Sequence, residues 1–182
     1  MPIYYGRSTV VNDIRRRGGL GVISVIQHSA HALPPDFVDN LLDLRLHIAP
    51  YYARLAVERS AEEVTAILEG RGALTEASRG FAAYDWRIHH QLTVPSGSPI
   101  FSFILNGFEG FNERMAKLDF RPPHVKAASR DFYEGLWRAT RRADGAAAER
   151  VTRKAMKTSI ALWRKADLKT HSTPEGEELA RR

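Results

Sequence analysis

The stretch SGSPIFSFILNGFEGFNERM, residues 96–115, decides the fold of this chain because it is apolar on nearly every side for several helical turns. Ser98 is a good N-cap, and Pro99 suits the first helical position, where a missing N–H costs nothing. The large apolar residues point in all directions, which is typical of a helix surrounded by other helices. We therefore predict a buried central helix. Gly107 and Gly110 lie inside it at a cost that close packing or a bound ligand must offset.

Composition narrows the class of protein. The chain has 182 residues and 43% hydrophobic content, enough for one domain with a real core. It lacks both the roughly 18 consecutive apolar residues of a membrane span and the apolar run of a signal peptide, so we expect a cytoplasmic protein without membrane contact. It has no cysteine, which excludes disulfides and thiolate chemistry. The net charge of +6 is compatible with a polyanionic partner, although diffuse surface charge is the commoner explanation.

Helical patterns flank the central stretch on both sides. A long helix is predicted from Asp36, with a kink at Pro50, and a capping box at Ser60 starts the next helix. Further helices are predicted for about 80–94, after the two prolines at 122 and 123, and from Ala146 to about Ala166. The predicted inner stripe of the first helix is Phe37, Leu41, Leu44, Ile48, Tyr51 and Leu55.

These patterns predict an all-α fold, an antiparallel bundle of six or seven helices preceded by a short β-hairpin. The hairpin is predicted for residues 1–14, a linker with a short helix for 15–35, the helical domain for 36–168 and a flexible tail for 169–182. Two strands alone are marginal in water. We therefore expect the hairpin to be the edge of something larger, with its partner upstream of Met1 or in another chain.

Several polar residues stand on predicted inner faces. Arg45 lies at the edge of the first stripe and either has an anionic partner or extends to the rim, and the pattern does not decide between them. Asp85 and His89 lie one turn apart among apolar neighbours, which is half of a metal site; a hydrogen-bonded core histidine is the commoner arrangement. Ser159 and Trp163 carry a hydroxyl and an indole N–H on the inner face of the last helix.

An enzyme is the least supported class. His89 and His90 are candidates for a general base, but no nucleophile or carboxylate pair accompanies them. We expect the chain not to be an enzyme and to need no cofactor.

Four segments together resemble the FadR family of fatty-acid-responsive transcription regulators, within the broader GntR family. They are DNLLDLRLHI (39–48), FAAYDWRIHHQL (81–92), SGSPIFSFILNGFEGFNER (96–114) and SIALW (159–163). In that family a winged helix-turn-helix reads DNA and an all-helical C-terminal domain binds the effector. GRSTVV (6–11) is similar to the family's wing, and the helices that precede the wing there are absent here. The resemblance therefore implies a remnant of the wing in residues 1–14, with operator DNA bound only when the missing winged-helix domain is present.

The resemblance also implies the ligand. It predicts the effector-binding part of a regulator of fatty acid metabolism, a homodimer that senses long-chain acyl-CoA and releases DNA when loaded. The family's acyl-CoA contacts fall on Arg45, Arg153, Ser159 and Trp163. A Tyr-Gly pair of the family corresponds to Ala155 and Met156, so Met156 occupies space that a glycine leaves open there. Gly107 is expected to line the tunnel for the acyl chain.

A second function of the same fold stays open. The broader class of these effector domains binds a metal through one aspartate and three histidines, and this chain matches that pattern at Asp85 and His89 only. The alternative is thus a metal-dependent domain that senses carboxylates. The principal expectation is that no metal is bound.

Overall fold

A computed structural model of the chain describes residues 36–74, 77–108 and 122–171. The predicted hairpin and linker, Gly110, and the predicted tail beyond residue 171 lie outside these ranges. Within them the chain is helical throughout and contains no strand. The elements are α1 (Phe37–Leu68), a 3₁₀ segment (Glu69–Ala73), α2 (Ser78–Thr93), α3 (Pro99–Asn106), α4 (Pro123–Thr140) and α5 (Gly145–His171). The all-α prediction is confirmed for this part of the chain.

The helix boundary predicted at Ser60 occurs as a break inside α1. Ser60 has φ −150° and ψ 55°, outside the helical region, where two helical segments join. Pro50 lies inside α1 without non-helical torsions. The break in backbone geometry therefore lies at Ser60, and the predicted kink at Pro50 is not its cause.

The buried face of α1 differs from the predicted stripe. Leu44 and Tyr51, two members of that stripe, are 36% and 48% exposed. Before the break at Ser60, the most deeply buried residues of this helix are instead mostly small: Ala49, Tyr52, Ala53, Ala56 and Val57. On α5, the helix that packs most extensively on α1, Ala148 and Thr152 are fully buried. Small side chains let two helices approach closely. The predicted stripe of large apolar residues does not indicate this close contact.

The inner faces of α2 and α4 agree with the sequence prediction. Phe81, Ile88 and Leu92 of α2 are completely buried. Phe132 and Leu136 of α4 join them in the same core. In both helices the residues at steps of three and four face the bundle, as the period of an α-helix requires.

The helix α3 begins as predicted and ends early. Ser98 is its N-cap residue and Pro99 occupies its first turn, but Gly107 is its C-cap rather than an interior position. Ile100 and Phe103 are 57% and 56% exposed, so the prediction of burial on every side is wrong for this part of the helix. The reason is that α3 packs chiefly against α2, which covers one face only.

The turn between α2 and α3 depends on Gly97. Its φ is +74°, in the left-handed region that glycine adopts without a steric penalty. The guanidinium of Arg59 donates to the carbonyl oxygen of Ser96 beside it. The Ser96 hydroxyl donates to the carbonyl oxygen of Thr93 at 2.6 Å. The geometry of this turn therefore explains why Ser96 and Gly97 stand at the start of the central stretch.

We expect Gly97→Ala to lower the free energy of unfolding by about 1 to 2 kcal/mol, because a Cβ is strained at positive φ. The added carbon would also collide with the Arg59 guanidinium. Gly72→Ala is the matched control, since nothing lies within 4 Å of a Cβ there. Urea unfolding followed by circular dichroism measures both variants. Equal stabilities for the two would contradict the role assigned to Gly97.

The last helix is longer than predicted. The side chain of Asp144 accepts a hydrogen bond from the backbone N–H of Ala147 at 2.8 Å, which caps its start. It continues to His171, three residues into the segment predicted as a flexible tail. Among the helices of the described part, none has the length and apolar character needed to cross a membrane.

Candidate functional site

Five neighbouring polar side chains lie between α1, α2 and α4. Arg45 of α1 and Asp85 of α2 form an ion pair, with 3.5 Å between Nη2 and Oδ2. Tyr133 of α4 donates its hydroxyl to Oδ1 of the same carboxylate over 3.1 Å. His89, one turn after Asp85, is hydrogen-bonded through Nδ1 to the hydroxyl of Tyr52 at 2.8 Å. These five residues are called the polar cluster below.

Burial sets the protonation states in the polar cluster. His89 is 1% exposed, and burial lowers its pKa to about 4 although the charge of Asp85 acts in the opposite direction. Its imidazole is therefore neutral near pH 7. Burial likewise raises the pKa values of the Tyr52 and Tyr133 hydroxyls, so both stay protonated and can donate hydrogen bonds.

Two aromatic residues hold the ring of His89. Phe132 stacks on its face, with ring centroids 5.6 Å apart, and Tyr52 approaches edge-on. Its Nε2 lies 3.9 Å from Oδ1 of Asp85, too far for a hydrogen bond, and has no other hydrogen-bond partner in the part of the chain that the structure describes. We assign the ring proton to Nε2, because a lone pair there would face the carboxylate while Tyr52 can donate to Nδ1. His89 thus carries a buried N–H without an acceptor.

A small cavity adjoins the polar cluster between α1, α2 and α3. Its lining residues are Leu41, Leu44, Arg45, Ile48, Trp86, His89, Ile104, Leu105 and Phe108. The volume is about 10 Å³, the room of roughly one water molecule. Most of the wall is apolar, and Arg45 and His89 form its polar end. This end is called the polar end of the cavity below.

A second, open depression runs along α5. It encloses about 440 Å³ and is lined by Arg150, Arg153, Lys154, Lys157, Thr158 and Ala161. Arg153 donates to Oε1 of Glu149 at 2.7 Å, and this hydrogen bond holds the pKa of Glu149 below its usual value. The depression is called the basic groove below. It presents four cationic side chains, and Glu149 compensates part of the charge of Arg153.

The six predicted ligand residues do not meet in one cavity. Arg45 lines the small cavity, and Gly107 precedes Phe108 of the same wall. Arg153 lines the basic groove, whereas Met156 is 5% exposed in the main core. The remaining two, Ser159 and Trp163, are half-buried on α5 and line neither space.

Trp163 carries a second buried donor for which the described residues offer no partner. Its indole Nε1 is inaccessible to solvent and makes no hydrogen bond within residues 36–74, 77–108 and 122–171. An ion pair of Arg164 with Asp39, with 3.6 Å between Nε and Oδ1, places this end of α5 beside the first turns of α1. Leu41, which lines the small cavity, lies in the same turns. This end of α5 therefore lies beside the start of α1, while Trp163 itself does not line the small cavity.

Asp85 and His89 do not fit a metal site. Both oxygens of Asp85 are already engaged, by Arg45 and by the Tyr133 hydroxyl, and Nδ1 of His89 is taken by Tyr52. Within residues 36–74, 77–108 and 122–171, no group of three potential ligands is close enough to hold an ion. This arrangement gives the metal-dependent alternative no support.

Two members of the polar cluster were missed by sequence reasoning. Tyr52 follows Tyr51 of the predicted stripe, and Tyr133 follows Phe132 on the face of α4. Of the two arrangements that the sequence left open for Arg45, the structure has the anionic partner, which is Asp85. An ionised carboxylate accepts hydrogen bonds at both oxygens, and the position of Asp85 on an inner helical face is the signal that could have indicated further donors nearby.

Comparison with known proteins identifies the domain family of the chain. A family model described as the FadR C-terminal domain matches residues 12–173. A fatty acid metabolism regulator protein of Pectobacterium carotovorum subsp. carotovorum (strain PC1) is 29% identical over 136 residues, 75% of this chain and 57% of that protein. The protein of the same name from Shewanella pealeana is 30% identical over 136 residues, with the same coverage of 75% and 57%.

The similarity extends to other Shewanella proteins. The fatty acid metabolism regulator protein of Shewanella sp. (strain MR-4) is 31% identical over 136 residues, 75% of this chain and 56% of that protein. The chain thus spans somewhat more than half the length of the curated relatives it matches. The similarity therefore concerns the matched part of those longer proteins.

Proposed function

Because the chain belongs to the FadR C-terminal domain family, we propose that it is the effector-binding part of a transcription regulator of fatty acid metabolism and senses long-chain acyl-CoA. The match to the family over residues 12–173 is the observation that carries the proposal. The relatives are named as regulators and not as enzymes, which agrees with the sequence prediction that the chain is not an enzyme.

The small cavity supports an acyl chain as the ligand. Its walls are mainly leucine, isoleucine and phenylalanine side chains, and each buried CH₂ of an acyl chain contributes roughly 0.8 kcal/mol to binding. A volume of about 10 Å³ is far too small for a long chain, so binding requires a wall to move. The wall formed by Ile104, Leu105 and Phe108 belongs to α3 and its C-terminal turn, an element that packs chiefly against α2.

The basic groove supports the proposal that the ligand carries a CoA moiety. CoA carries phosphate groups, and Arg and Lys side chains bind phosphate through charge-assisted hydrogen bonds. Arg153, which is 43% exposed, reaches solvent from this groove beside Arg150, Lys154 and Lys157. The proposal therefore places the acyl chain in the bundle and the phosphates outside it along α5.

We expect Trp163→Ala to weaken acyl-CoA binding more than Ser159→Ala, for which the loss of one hydrogen bond costs about 0.5 to 1.5 kcal/mol. Removal of the indole takes away a donor together with its packing area. Arg153→Ala should weaken acyl-CoA and leave the affinity for free fatty acid nearly unchanged, because only CoA carries phosphates. Isothermal calorimetry with a series of chain lengths measures these effects.

Arg138→Ala is the matched control for Arg153→Ala. Arg138 also pairs with a glutamate one turn away on its own helix, with 2.9 Å between Nε and Oε1 of Glu134, but lies on α4 outside the basic groove. Its replacement should leave acyl-CoA affinity unchanged. An absence of binding heat at every chain length, with the protein folded by circular dichroism, would refute the proposed ligand.

We further propose that the intact regulator is a homodimer that releases operator DNA when loaded with ligand. In this arrangement a winged-helix domain contacts DNA, and the helical part supplies the ligand-dependent change. Size-exclusion chromatography with light scattering tests the dimer, and DNA binding by the intact regulator with and without acyl-CoA tests the release.

A further inference from the structure

The polar end of the cavity contains a donor that the fold itself leaves unused. The Nε2 of His89 is buried, and it has no hydrogen-bond partner among the described residues, since Oδ1 of Asp85 lies 3.9 Å away. His89 also lines the cavity. An unsatisfied buried donor costs about 1 to 3 kcal/mol. Phe132 covers the ring face and Tyr52 occupies Nδ1, so the Nε2 edge is the part of the ring left for an acceptor.

The charge at this end is already balanced. The guanidinium of Arg45 faces the carboxylate of Asp85 at 3.5 Å, and the imidazole of His89 is hydrogen-bonded to a neutral tyrosine. A second carboxylate placed here would lie next to Asp85, and like charges repel strongly where little water is present. A neutral oxygen acceptor meets the free N–H without this repulsion.

We infer that His89 determines specificity in this site by donating its Nε2–H to the carbonyl oxygen of an acyl group, so that the cavity accepts a neutral thioester or ester and discriminates against a free carboxylate. The inference rests on the proposed function and adds the residue that recognises the reacting end of the acyl chain. A volume of about 10 Å³ suits one oxygen atom at the polar end. The apolar walls that continue from it suit the first methylenes.

The direct test is to remove the carbonyl oxygen from the ligand and the donor from the protein. Calorimetry compares a long-chain acyl-CoA with an S-alkyl-CoA of the same length, a thioether that lacks the oxygen. We expect the unaltered chain to prefer the acyl-CoA by about 3- to 10-fold, the value of one neutral hydrogen bond. In His89→Phe this preference should vanish, because both ligands then meet a ring without a donor.

Two further variants separate donor loss from a change of packing. His89→Gln retains an N–H near the position of Nε2, and it should restore part of the preference. His90→Phe is the matched control, since His90 lies next to His89 but bonds Asn106 at 2.7 Å on a more exposed face and does not line the cavity. It should keep the full preference. Circular dichroism of each variant verifies that it is folded.

A spectroscopic measurement compares the bound ligand in two proteins. With a ¹³C-labelled thioester carbonyl, the carbonyl stretching frequency of bound acyl-CoA should be lower in the unaltered chain than in His89→Phe, because a hydrogen bond to the oxygen weakens the C=O bond. Equal frequencies in the two proteins, or a preference for acyl over alkyl that survives in His89→Phe, would overturn the inference while acyl-CoA binding itself still supports the proposed function. If the folded chain binds neither ligand, the proposed function fails instead.

Discussion

Replacing Asp85 by leucine should lower the free energy of unfolding by about 3 kcal/mol, because it leaves the Arg45 guanidinium in the bundle without a counter-charge. The two side chains are 19% and 21% exposed, which places the cost at the lower end of the range for a broken buried ion pair. The Tyr133 hydroxyl loses its acceptor in the same variant. Urea unfolding at pH 7 measures the effect.

The double variant Arg45→Leu/Asp85→Leu separates the ion pair from the packing. With neither charge left, it should be more stable than the sum of the two single losses predicts, by about 1 to 3 kcal/mol. Asp43→Leu is the control, since Asp43 pairs with His47 on the surface and its side chain is 68% exposed. An exposed pair of this kind is worth about 0 to 1 kcal/mol. Strict additivity in the cycle would show that Arg45 and Asp85 are not coupled.

Acidification from pH 7 to pH 4 should destabilise the fold by about 3 kcal/mol through His89 alone. The pKa of the buried imidazole is lowered to about 4 from its ordinary value of 6.5, mainly by burial. Above pH 6.5 the ring is neutral in the folded and the unfolded chain, so protonation of His89 costs no stability there. As the pH falls below 6.5 the unfolded chain takes up the proton first, and stability is lost until the folded state is also protonated near pH 4.

Other groups titrate over the same range, so the measurement is a comparison of variants. Unfolding free energies at several pH values between 4 and 7 are compared for the unaltered chain and His89→Phe, which should lose this part of the pH dependence. His47→Phe removes an exposed histidine of α1, with 69% of its side chain accessible, and should retain it. Parallel pH profiles for the unaltered chain and His89→Phe would contradict a neutral buried imidazole.

Local signals predicted several elements correctly. The start of α3 follows from Pro99, whose fixed φ suits the first helical turn; Ser98 occupies the N-cap position, although its side chain makes no capping hydrogen bond. The inner face of α2 follows from the spacing of Phe81, Ile88 and Leu92, because the period of the helix determines which residues share a side. The family was recognisable for a similar reason, since its motif in residues 96–114 is read along the chain.

Predictions that needed the neighbouring helices were less accurate. Leu44 and Tyr51 fall on the most hydrophobic stripe of α1, yet the helix turns its alanines towards the core because α5 packs closely there. Ile100 and Phe103 are apolar but face away from α2. Hydrophobicity measures the free energy of transferring a side chain from water to an apolar environment. It does not depend on how closely another helix can approach.

The sequence by itself determined the helical class, the starts of α3 and α5 to within one residue, the inner face of α2 and the family. Only the tertiary structure decided how the polar cluster is connected. Tyr133 meets Asp85 across 48 residues of chain, and Tyr52 meets His89 across 37. Helical periodicity relates residues on one helix, whereas the rotation of each helix against its neighbours depends on packing of the whole core. That rotation left one N–H of His89 buried beside a cavity without an acceptor.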